Sequence, residues 1–457
     1  MDVIEALRGA LGPASVLTGS DIGTRHQGDW LLKAGPDDTP LALTLPRDTR
    51  EVSAVLRQCH AGGIPVVPQG GLTGLTGGAV PVRGCVILSL ERMRTVEEVD
   101  PTAGTLTAQA GVPLQAVQGA ADAAGMLFPL DIGGRGSCLI GGNLSTNAGG
   151  NRVLRYGMAR DLVLGLEVVM ADGTVITSLN KMLKNNAAYD VKQLFVGSEG
   201  TLGVITRAVL RLFPKPVTTS TALCAFDSFD RIYAFLRSAR THLGGTLAAF
   251  ETMWQAFYTR AIEGKTRPLG TDHLAYVLVE SMGTDPSRDA EHFSALIEQA
   301  VETGLVADAV IAQSLKETQQ LWAIRDSSGE LVQRLRPVGN YDVSIPTAQI
   351  DAFVTECTKR LDARWPGAET ICFGHLADGN LHMFVRVPAA PFPEHEVDDI
   401  VYGCVRDWRG SISAEHGIGL LKKAYLDYSR TPAEIALMKA LRSALDPKGI
   451  LNPGKVF

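Results

Sequence analysis

The sequence has no marked excess of charge of either sign. Its 457 residues include 43 Lys+Arg and 49 Asp+Glu, which gives a formal net charge of −6. Proteins that bind nucleic acid or anionic membrane surfaces usually carry a basic patch or a basic domain, and this balance provides neither. We therefore expect no nucleic-acid partner.

Long apolar runs and a secretory leader are also lacking. No stretch reaches the roughly 18 uninterrupted apolar residues that a membrane-spanning helix needs. The first residues, Met1 to Glu5, begin acidic and do not combine a basic segment with an apolar core. We expect no membrane span and no secretory signal.

Paired cysteines and the common nucleotide motifs are missing as well. The seven cysteines are odd in number and scattered, with no CxxC pair, so they predict neither a disulfide framework nor a thiolate metal site. A reduced, cytoplasmic location fits them best. The chain contains neither GxGxxG nor GxxxxGKS/T, which excludes a Rossmann fingerprint and a P-loop.

Glycine is what the sequence has in excess, with 48 residues, of which 15 cluster in three loops at 70–78, 133–150 and 197–203. Glycine lets a backbone approach a ligand closely, and successive N–H groups in such loops bind phosphate oxygens. A single loop of this kind could be a set of tight turns. Three loops, interleaved with Ser, Thr and Asn donors, indicate a long anionic ligand such as a dinucleotide.

Local signals predict a βαβ unit ahead of the first loop. Residues 41–45 form a strand pattern, a helix begins after Asp48 in a capping-box pattern with Glu51, and a second strand follows at 64–67. Further predicted strands are 85–90, 105–109, 162–170, 204–212, 274–279, 371–375 and 381–387, and further helices are 113–124, 229–241, 289–303 and 431–445. Fewer glycines and longer helical patterns after Pro214 and Pro216 predict a second, α+β domain.

Near the end of that second domain the sequence offers metal ligands. His375 and His382 flank a predicted turn, and Glu415 and His416 follow in a Glu-His-Gly motif. Two His and a carboxylate make a three-ligand divalent site of the kind that zinc forms when it must also hold substrate. A lone His is more often a hydrogen-bonded structural residue, which is how we interpret His26, His60, His242, His273, His292 and His395.

The motifs resemble one flavoprotein family. The segments 68–78, 141–150 and 197–203 are similar to the FAD-binding domain of the vanillyl-alcohol-oxidase (PCMH) superfamily. With the C-terminal His and Glu-His-Gly motifs, the resemblance narrows to FAD-linked D-2-hydroxyacid dehydrogenases, the branch of D-2-hydroxyglutarate dehydrogenase, D-lactate dehydrogenase and the glycolate oxidase FAD subunit. It covers residues 40–457.

The resemblance implies an α+β fold in three parts. A PCMH-type FAD-binding domain made of two α/β subdomains would occupy 1–216, and a ferredoxin-like α+β substrate domain would occupy 217–410. A short C-terminal helical segment at 411–457 would return to the flavin.

The resemblance also implies which residues contact FAD. The diphosphate would lie at the first loop, the ribityl chain and isoalloxazine along the second, and the adenine end near the third. The residues so implied are Pro68, Gly70, Gly71, Leu72, Thr73, Gly74, Gly77, Ser137, Gly141, Gly142, Asn143, Thr146, Asn147, Gly200, Ile205 and Asn452. The first loop has no His for covalent attachment, so non-covalent FAD is expected, although Cys138 lies beside the second loop.

For the chemistry, the resemblance implies Zn²⁺ or another divalent metal held by His375, His382 and Glu415. Hydride would pass from C2 of a D-2-hydroxy acid to flavin N5, while the metal stabilises the developing alkoxide. His416 would take the hydroxyl proton and Arg325 would bind the substrate carboxylate. Without the resemblance, Arg325 would be interpreted as a surface residue of a helix.

The sequence departs from the 2-hydroxyglutarate enzymes at three positions. Those enzymes have a Thr, a Lys and an Asn where this chain has Gly329, Asn340 and Phe384. Losing one cation and two polar groups would leave a distal carboxylate poorly paired, which is costly in a buried site. D-lactate or a larger apolar D-2-hydroxy acid is therefore the expected substrate, with D-2-hydroxyglutarate as a competitor.

Other functions remain compatible with the sequence. Electrons should leave through an external acceptor such as an electron-transfer flavoprotein, a quinone or a cytochrome, or pass to oxygen directly. The alternatives are a metal-independent FAD alcohol oxidase or dehydrogenase, a flavin subunit that relays electrons within a larger complex, and a flavin-free binding protein. A homodimer is a candidate assembly.

Overall fold

The structure is a computed structural model that describes residues 2–457. Its helices are α1 Val3–Leu11, α2 Thr49–Gly62, α3 Leu114–Ala123, α4 Ile140–Ser145, α5 Val153–Tyr156, α6 Phe229–Leu243, α7 Gln255–Ala261, α8 Asp289–Glu302, α9 Leu315–Arg325, α10 Ser328–Arg334, α11 Ile350–Arg364, α12 Glu394–Asp407 and α13 Pro432–Leu445. Its strands are β1 Val16–Leu17, β2 Ala42–Thr44, β3 Val66–Gln69, β4 Val86–Ser89, β5 Val96–Asp100, β6 Thr105–Gln109, β7 Met126–Leu127, β8 Val163–Val169, β9 Val175–Ser178, β10 Val204–Arg211, β11 Phe213–Pro214, β12 Thr218–Phe226, β13 Leu247–Trp254, β14 Ala275–Gly283, β15 Asp308–Ile311, β16 Gly339–Ser344, β17 Glu369–Gly374 and β18 Asn380–Arg386.

The chain divides into two compact units. Unit 1 consists of the described residues up to Gly150, together with Gly157–Lys215 and Glu415–Phe457. Unit 2 consists of Asn151–Tyr156 and Pro216–Ala414. Within residues 2–457, no helix combines the length and the apolar character needed to cross a bilayer.

Unit 1 is built on two larger sheets. In the first, of order β1-β2-β4-β3, the strands β2, β4 and β3 run parallel and β1 is antiparallel to β2. The second, of order β5-β6-β10-β8-β9, is antiparallel throughout. Strands and helices thus mix in both parts of the chain, and the predicted α+β fold class is confirmed.

Helix α2 shows how local sequence sets the first sheet. The Asp48 carboxylate accepts a hydrogen bond from Glu51 N at 2.8 Å, which satisfies an N–H group that the first helical turn leaves without an intrahelical acceptor. The helix ends where Gly63 takes the left-handed conformation, with φ of 61°. Its apolar face, which includes Val52, Val55 and Leu56, is completely buried. The following strand begins at Val66, two residues later than predicted.

The C-terminal tail completes the first sheet. Thr431 and Glu434 form the predicted capping box of α13, because each side chain accepts a hydrogen bond from the other residue's backbone N–H. After this helix, Leu451 bridges to Val66 in parallel orientation. The edge strand β3, which leads into the first glycine loop, is therefore covered by the last residues of the chain.

Unit 2 contains a seven-stranded sheet of order β15-β12-β14-β13-β17-β18-β16. All its pairings are antiparallel. The first four strands, with α6 between β12 and β13 and α8 between β14 and β15, have the connectivity of a ferredoxin-like βαββαβ fold, as predicted. One apolar cluster of this unit includes Phe257, Tyr258, Phe373 and Phe384 and lies beside the ends of β13, β17 and β18.

Candidate active site

The first two glycine loops of unit 1 pack directly against each other. A Cβ atom on Gly71 would lie 2.1 Å from the carbonyl oxygen of Ser137, and one on Gly70 would lie 3.6 Å from Gly142 Cα. Larger residues at 71 would therefore force the loops apart. The loops border a cavity of about 560 Å³ whose lining includes Gly71, Leu72 and Ser137.

The second loop contains a short helix where its glycine content had predicted only a loop. The helix α4 spans Ile140–Ser145, and a Cβ on Gly141 would lie 2.6 Å from the Cβ of Ala110. Glycine is required here because the helix packs against that residue, and close packing overrides the low helix propensity of glycine. At Gly142, by contrast, a Cβ would meet no described atom within 4 Å, which leaves room for a ligand along this face.

The third loop joins the first through the C-terminal tail. The Asn452 side-chain nitrogen donates to the carbonyl oxygens of Gly78 at 3.0 Å and Glu199 at 2.8 Å. Gly200 lies against Pro68, since a Cβ at residue 200 would be 3.1 Å from the proline Cγ. Ile205 follows on β10 and is buried.

Backbone strain is concentrated at these loops. Leu72, Asn147, Glu199 and Asn452 have φ values between 41° and 61°, a region that side-chain-bearing residues rarely adopt. Such strain costs about 1–3 kcal/mol per residue and collects at ligand sites. Four of the seven non-glycine residues with positive φ in the described chain lie at the three loops and the tail, which fits the prediction of a ligand site there.

Glu415 lies at the end of the second loop, within unit 1. Its Oε1 accepts a hydrogen bond from Gly150 N at 3.2 Å, and a Cβ on Gly149 would lie 3.0 Å from the same oxygen. The carbonyl oxygen of His416 accepts from Thr76 Oγ1 at 3.3 Å. The predicted metal ligand and the predicted base therefore adjoin the two predicted cofactor loops.

Two carboxylates that sequence analysis missed hold unit 1 loops in place. Glu199 accepts from the backbone N–H groups of Ile418 at 2.7 Å and Gly419 at 2.9 Å. Burial raises the pKa of Glu199, although these two hydrogen bonds oppose the shift. Asp29 accepts a hydrogen bond from Gly77 N at 2.7 Å, so the N–H group of Gly77 is already bonded within the protein. What Gly77 contributes to the loop is its positive φ. The Glu in Gly-Ser-Glu-Gly was a visible signal, but Asp29 had none.

Unit 2 brings Arg325, His375 and His382 together. Arg325 ends α9, His375 follows β17, and His382 lies on β18. All three are buried. The two imidazole centroids are 5.7 Å apart, and the ring of Phe373 stacks on His382 and carries the Arg325 guanidinium 5.0 Å from its centre.

A third buried carboxylate, Glu251 on β13, connects two of these residues. Its Oε1 lies 2.6 Å from His375 Nδ1, and its Oε2 accepts from Arg325 Nε at 2.7 Å. Burial by itself raises the pKa of Glu251, but the charges and hydrogen bonds of His375 and Arg325 outweigh it and lower the pKa to about 2. In the sequence, Glu251 is distinguished only as the single charged residue within an apolar strand.

The comparisons with known proteins identify the family. The family model described as "FAD binding domain" matches residues 40–178, and the family model described as "FAD linked oxidases, C-terminal domain" matches residues 215–456. The chain belongs to the FAD-linked oxidase family. The chain is 41% identical to D-2-hydroxyglutarate dehydrogenase of Xanthomonas citri pv. viticola, over 97% of this chain and 95% of the relative. It is also 41% identical to the mitochondrial D-2-hydroxyglutarate dehydrogenase of Bos taurus, over 97% of this chain and 81% of that one.

Solved structures show the same fold at low sequence identity. An alkyldihydroxyacetonephosphate synthase aligns with a TM-score of 0.78 and 18% identity, over 99% of this chain and 85% of its own. p-Cresol methylhydroxylase aligns with a TM-score of 0.75 and 16% identity, over 99% and 96%. The predicted PCMH-type fold, FAD as cofactor and the 2-hydroxyacid dehydrogenase family are confirmed, and the protein is an oxidoreductase.

Two polar residues, one in the second glycine loop and one in the tail, are suited to binding FAD. Within the described chain, the amide oxygens of Asn143 and Asn452 are buried and have no hydrogen-bond partner, so they are available to a ligand's donors. Both residues had been implied as FAD contacts. The assignment of individual loop residues to parts of the cofactor stays a prediction.

The donor set in unit 2 suits a divalent metal. With Nδ1 of His375 held by a carboxylate, Nε2 is the ring nitrogen that can coordinate, which is the usual carboxylate–histidine–metal arrangement. His382 supplies a second imidazole beside it. The third predicted ligand, Glu415, belongs to unit 1.

Replacing Asn452 by Ala tests whether this side chain holds the first and third loops together for FAD binding. The variant loses both hydrogen bonds and places a less tolerant residue in a left-handed conformation, so we expect a loss of about 2–4 kcal/mol of stability and weaker retention of FAD. Urea unfolding and flavin content after dialysis measure both. The exposed Asn185→Ala is the control, and equal behaviour of the two variants would contradict the assignment.

Proposed function

We propose that this FAD-linked oxidase oxidises a D-2-hydroxy acid with a short or apolar side chain, such as D-lactate, to the 2-oxo acid. The proposal rests on Phe384, which lies two residues beyond His382 on β18. The side chains of the two residues therefore project from the same face of the sheet. Its ring is buried and lies 5.3 Å from that of Phe373. An apolar ring at this position disfavours a second carboxylate in the substrate.

The two other departures support the same substrate class. Asn340 pairs with Phe384 across β16 and β18, so its uncharged side chain lies beside that ring. Gly329 is exposed on α10, and a Cβ there would meet no described atom within 4 Å. Neither residue supplies the positive charge that a distal carboxylate needs.

We propose that the chain's own groups divide the chemistry as follows. Arg325 binds the substrate carboxylate through its terminal guanidinium nitrogens, and His416 takes the proton of the C2 hydroxyl. His375, His382 and Glu415 hold a divalent metal. A divalent metal held there would supply Lewis acidity at the hydroxyl oxygen, and bound FAD would supply the hydride acceptor. The C–H and O–H bonds break, a C=O bond forms, and two electrons pass to an external flavoprotein, quinone or cytochrome.

An anaerobic substrate panel tests the proposal. We propose a cytoplasmic location, so the protein is expressed in the cytoplasm and purified. It is then mixed separately with D- and L-lactate, D-2-hydroxybutyrate, longer apolar D-2-hydroxy acids and D-2-hydroxyglutarate. Loss of the oxidised-flavin absorption is followed in time. We expect D-monocarboxylates to reduce the flavin fastest and L-isomers not to react. Chelator treatment should abolish reduction, and an unchanged rate would favour a metal-independent FAD enzyme.

The second candidate is D-2-hydroxyglutarate oxidation. It is supported by relatives of that name, which are 36–41% identical to this chain. Faster flavin reduction by D-2-hydroxyglutarate than by every monocarboxylate would establish it. Flavin that no 2-hydroxy acid reduces would instead favour a relay subunit of a larger electron-transfer complex.

The Asn340→Lys variant tests separately whether charge at residue 340 selects between monocarboxylate and dicarboxylate substrates. A cation on β16 beside Phe384 should pair with a distal carboxylate, so we expect the ratio of dicarboxylate to monocarboxylate turnover to rise about tenfold or more. The Asn340→Gln variant, which adds length without charge, is the control. An unchanged ratio in the Lys variant would defeat the argument that charge at this position selects the substrate.

A further inference from the structure

Glu251 is the only described acceptor bonded to both His375 and Arg325 through opposite oxygens of one carboxylate. It is 1% exposed and lies in the middle of β13. An ionised carboxylate accepts hydrogen bonds and donates none. His375 Nδ1 must therefore carry a hydrogen, and in the neutral imidazole Nε2 then presents a lone pair.

The same carboxylate also orients Arg325. Because Nε donates to Glu251, the orientation of the planar guanidinium is restricted. One terminal nitrogen, Nη2, lies 3.3 Å from His375 Nε2. The proposed carboxylate-binding group and the proposed coordinating nitrogen are therefore neighbours, and a single side chain sets the position of each.

We propose that Glu251 is a positioning residue that sets metal affinity and substrate-carboxylate affinity together. It acts through the tautomer of His375 and the orientation of Arg325, and this inference rests on the proposed function. Substitution by Gln should disturb both, because an amide has one acceptor oxygen where two donors must be satisfied. His375 can relieve the conflict by moving its hydrogen to Nε2, which removes the lone pair that would bind metal.

The main experiment compares Glu251→Gln with a matched variant. Glu280 is also 1% exposed, lies on the adjacent strand β14, accepts from Trp322 Nε1 at 2.8 Å and pairs with Arg152 at 3.5 Å. Both variants lose one buried negative charge. Zn²⁺ affinity is measured by competition with a chromophoric chelator, and bound FAD is measured by absorbance. We expect a 10- to 100-fold loss of Zn²⁺ affinity in Glu251→Gln, near wild-type affinity in Glu280→Gln, and retained FAD in both.

A double-mutant cycle shows whether Glu251 acts through His375. In a His375→Ala background, Glu251→Gln should cause no further loss of Zn²⁺ affinity, because the nitrogen it orients is gone. Independent, additive losses would overturn the inference. The Glu251→Asp variant keeps the charge and shortens the side chain, so it should recover part of the affinity and provides a second test if the Gln variant folds poorly.

The outcomes separate this inference from the proposed function. Wild-type protein that binds no Zn²⁺ would refute the metal proposal itself. Wild-type binding with equal affinity in Glu251→Gln would refute only the role of Glu251. Metal affinity lowered equally in the Glu251 and Glu280 variants would assign the effect to general loss of packing in unit 2 and overturn the inference.

Discussion

Replacing His416 by Ala is expected to slow reduction of the flavin by a 2-hydroxy acid about 100- to 10,000-fold, the usual contribution of a positioned general base. A neutral imidazole has a ring-nitrogen lone pair that can accept the proton, whereas the hydroxyl group that it deprotonates is a very weak acid. The rate is measured by rapid anaerobic mixing with the preferred substrate. Bound FAD should remain near the wild-type level, because the backbone carbonyl of His416, which the substitution keeps, is bonded to the first loop.

The control for this variant is His292→Ala. His292 is exposed on α8 in unit 2 and has no proposed role in the chemistry. Flavin reduction that is equally fast in His416→Ala and in the control would refute the base assignment. Lost FAD in His416→Ala would assign the residue a structural role in the first loop instead.

Replacing Arg325 by Met is expected to affect both stability and substrate binding. Breaking a buried ion pair leaves one charge uncompensated, which costs about 3–5 kcal/mol; here that charge is Glu251, which keeps only His375 as a partner. The substrate carboxylate also loses its cationic partner, so KM should rise about 100-fold or more. Urea unfolding and steady-state kinetics with a dye acceptor measure the two effects.

A surface arginine provides the comparison for Arg325. Arg334 on α10 pairs with Glu263, and both side chains are about half exposed, so Arg334→Met should cost at most about 1 kcal/mol and leave KM unchanged. Arg325→Lys separates charge from geometry, because an ammonium group cannot bond Glu251 and also offer a planar fork. Wild-type KM in Arg325→Met would remove Arg325 from the substrate site.

Features governed by near neighbours in the sequence were predictable. Asp48 and Gly63 define the ends of α2, and the Thr431–Glu434 capping box defines the start of α13, because each acts within one turn of the helix. Short strand-like segments rich in apolar residues located β8, β10 and β18 to within a few residues. The three glycine loops were visible for the same reason, since their composition is local.

Features that depend on distant partners were not predictable from the residues alone. The helical state of Ile140–Ser145 depends on close packing against Ala110, which no local pattern records. Glu251 and Asp29 matter through partners far away in the chain. The roles of Asn452 and Arg325 were predicted only through the family resemblance, whereas His375 was already a candidate metal ligand from its position in the sequence relative to His382 and Glu415.

The bridge between Val66 and Leu451 bears on how the protein is made. The ribosome produces the edge strand of the first sheet long before the residues that cover it, a delay of roughly 20–80 s at usual elongation rates. Until the tail emerges, the first cofactor loop lacks the amide of Asn452 that ties it to Glu199. We therefore expect the edge of the first sheet to stay open, and the first and third loops to stay unjoined, until residues 451 and 452 have been made.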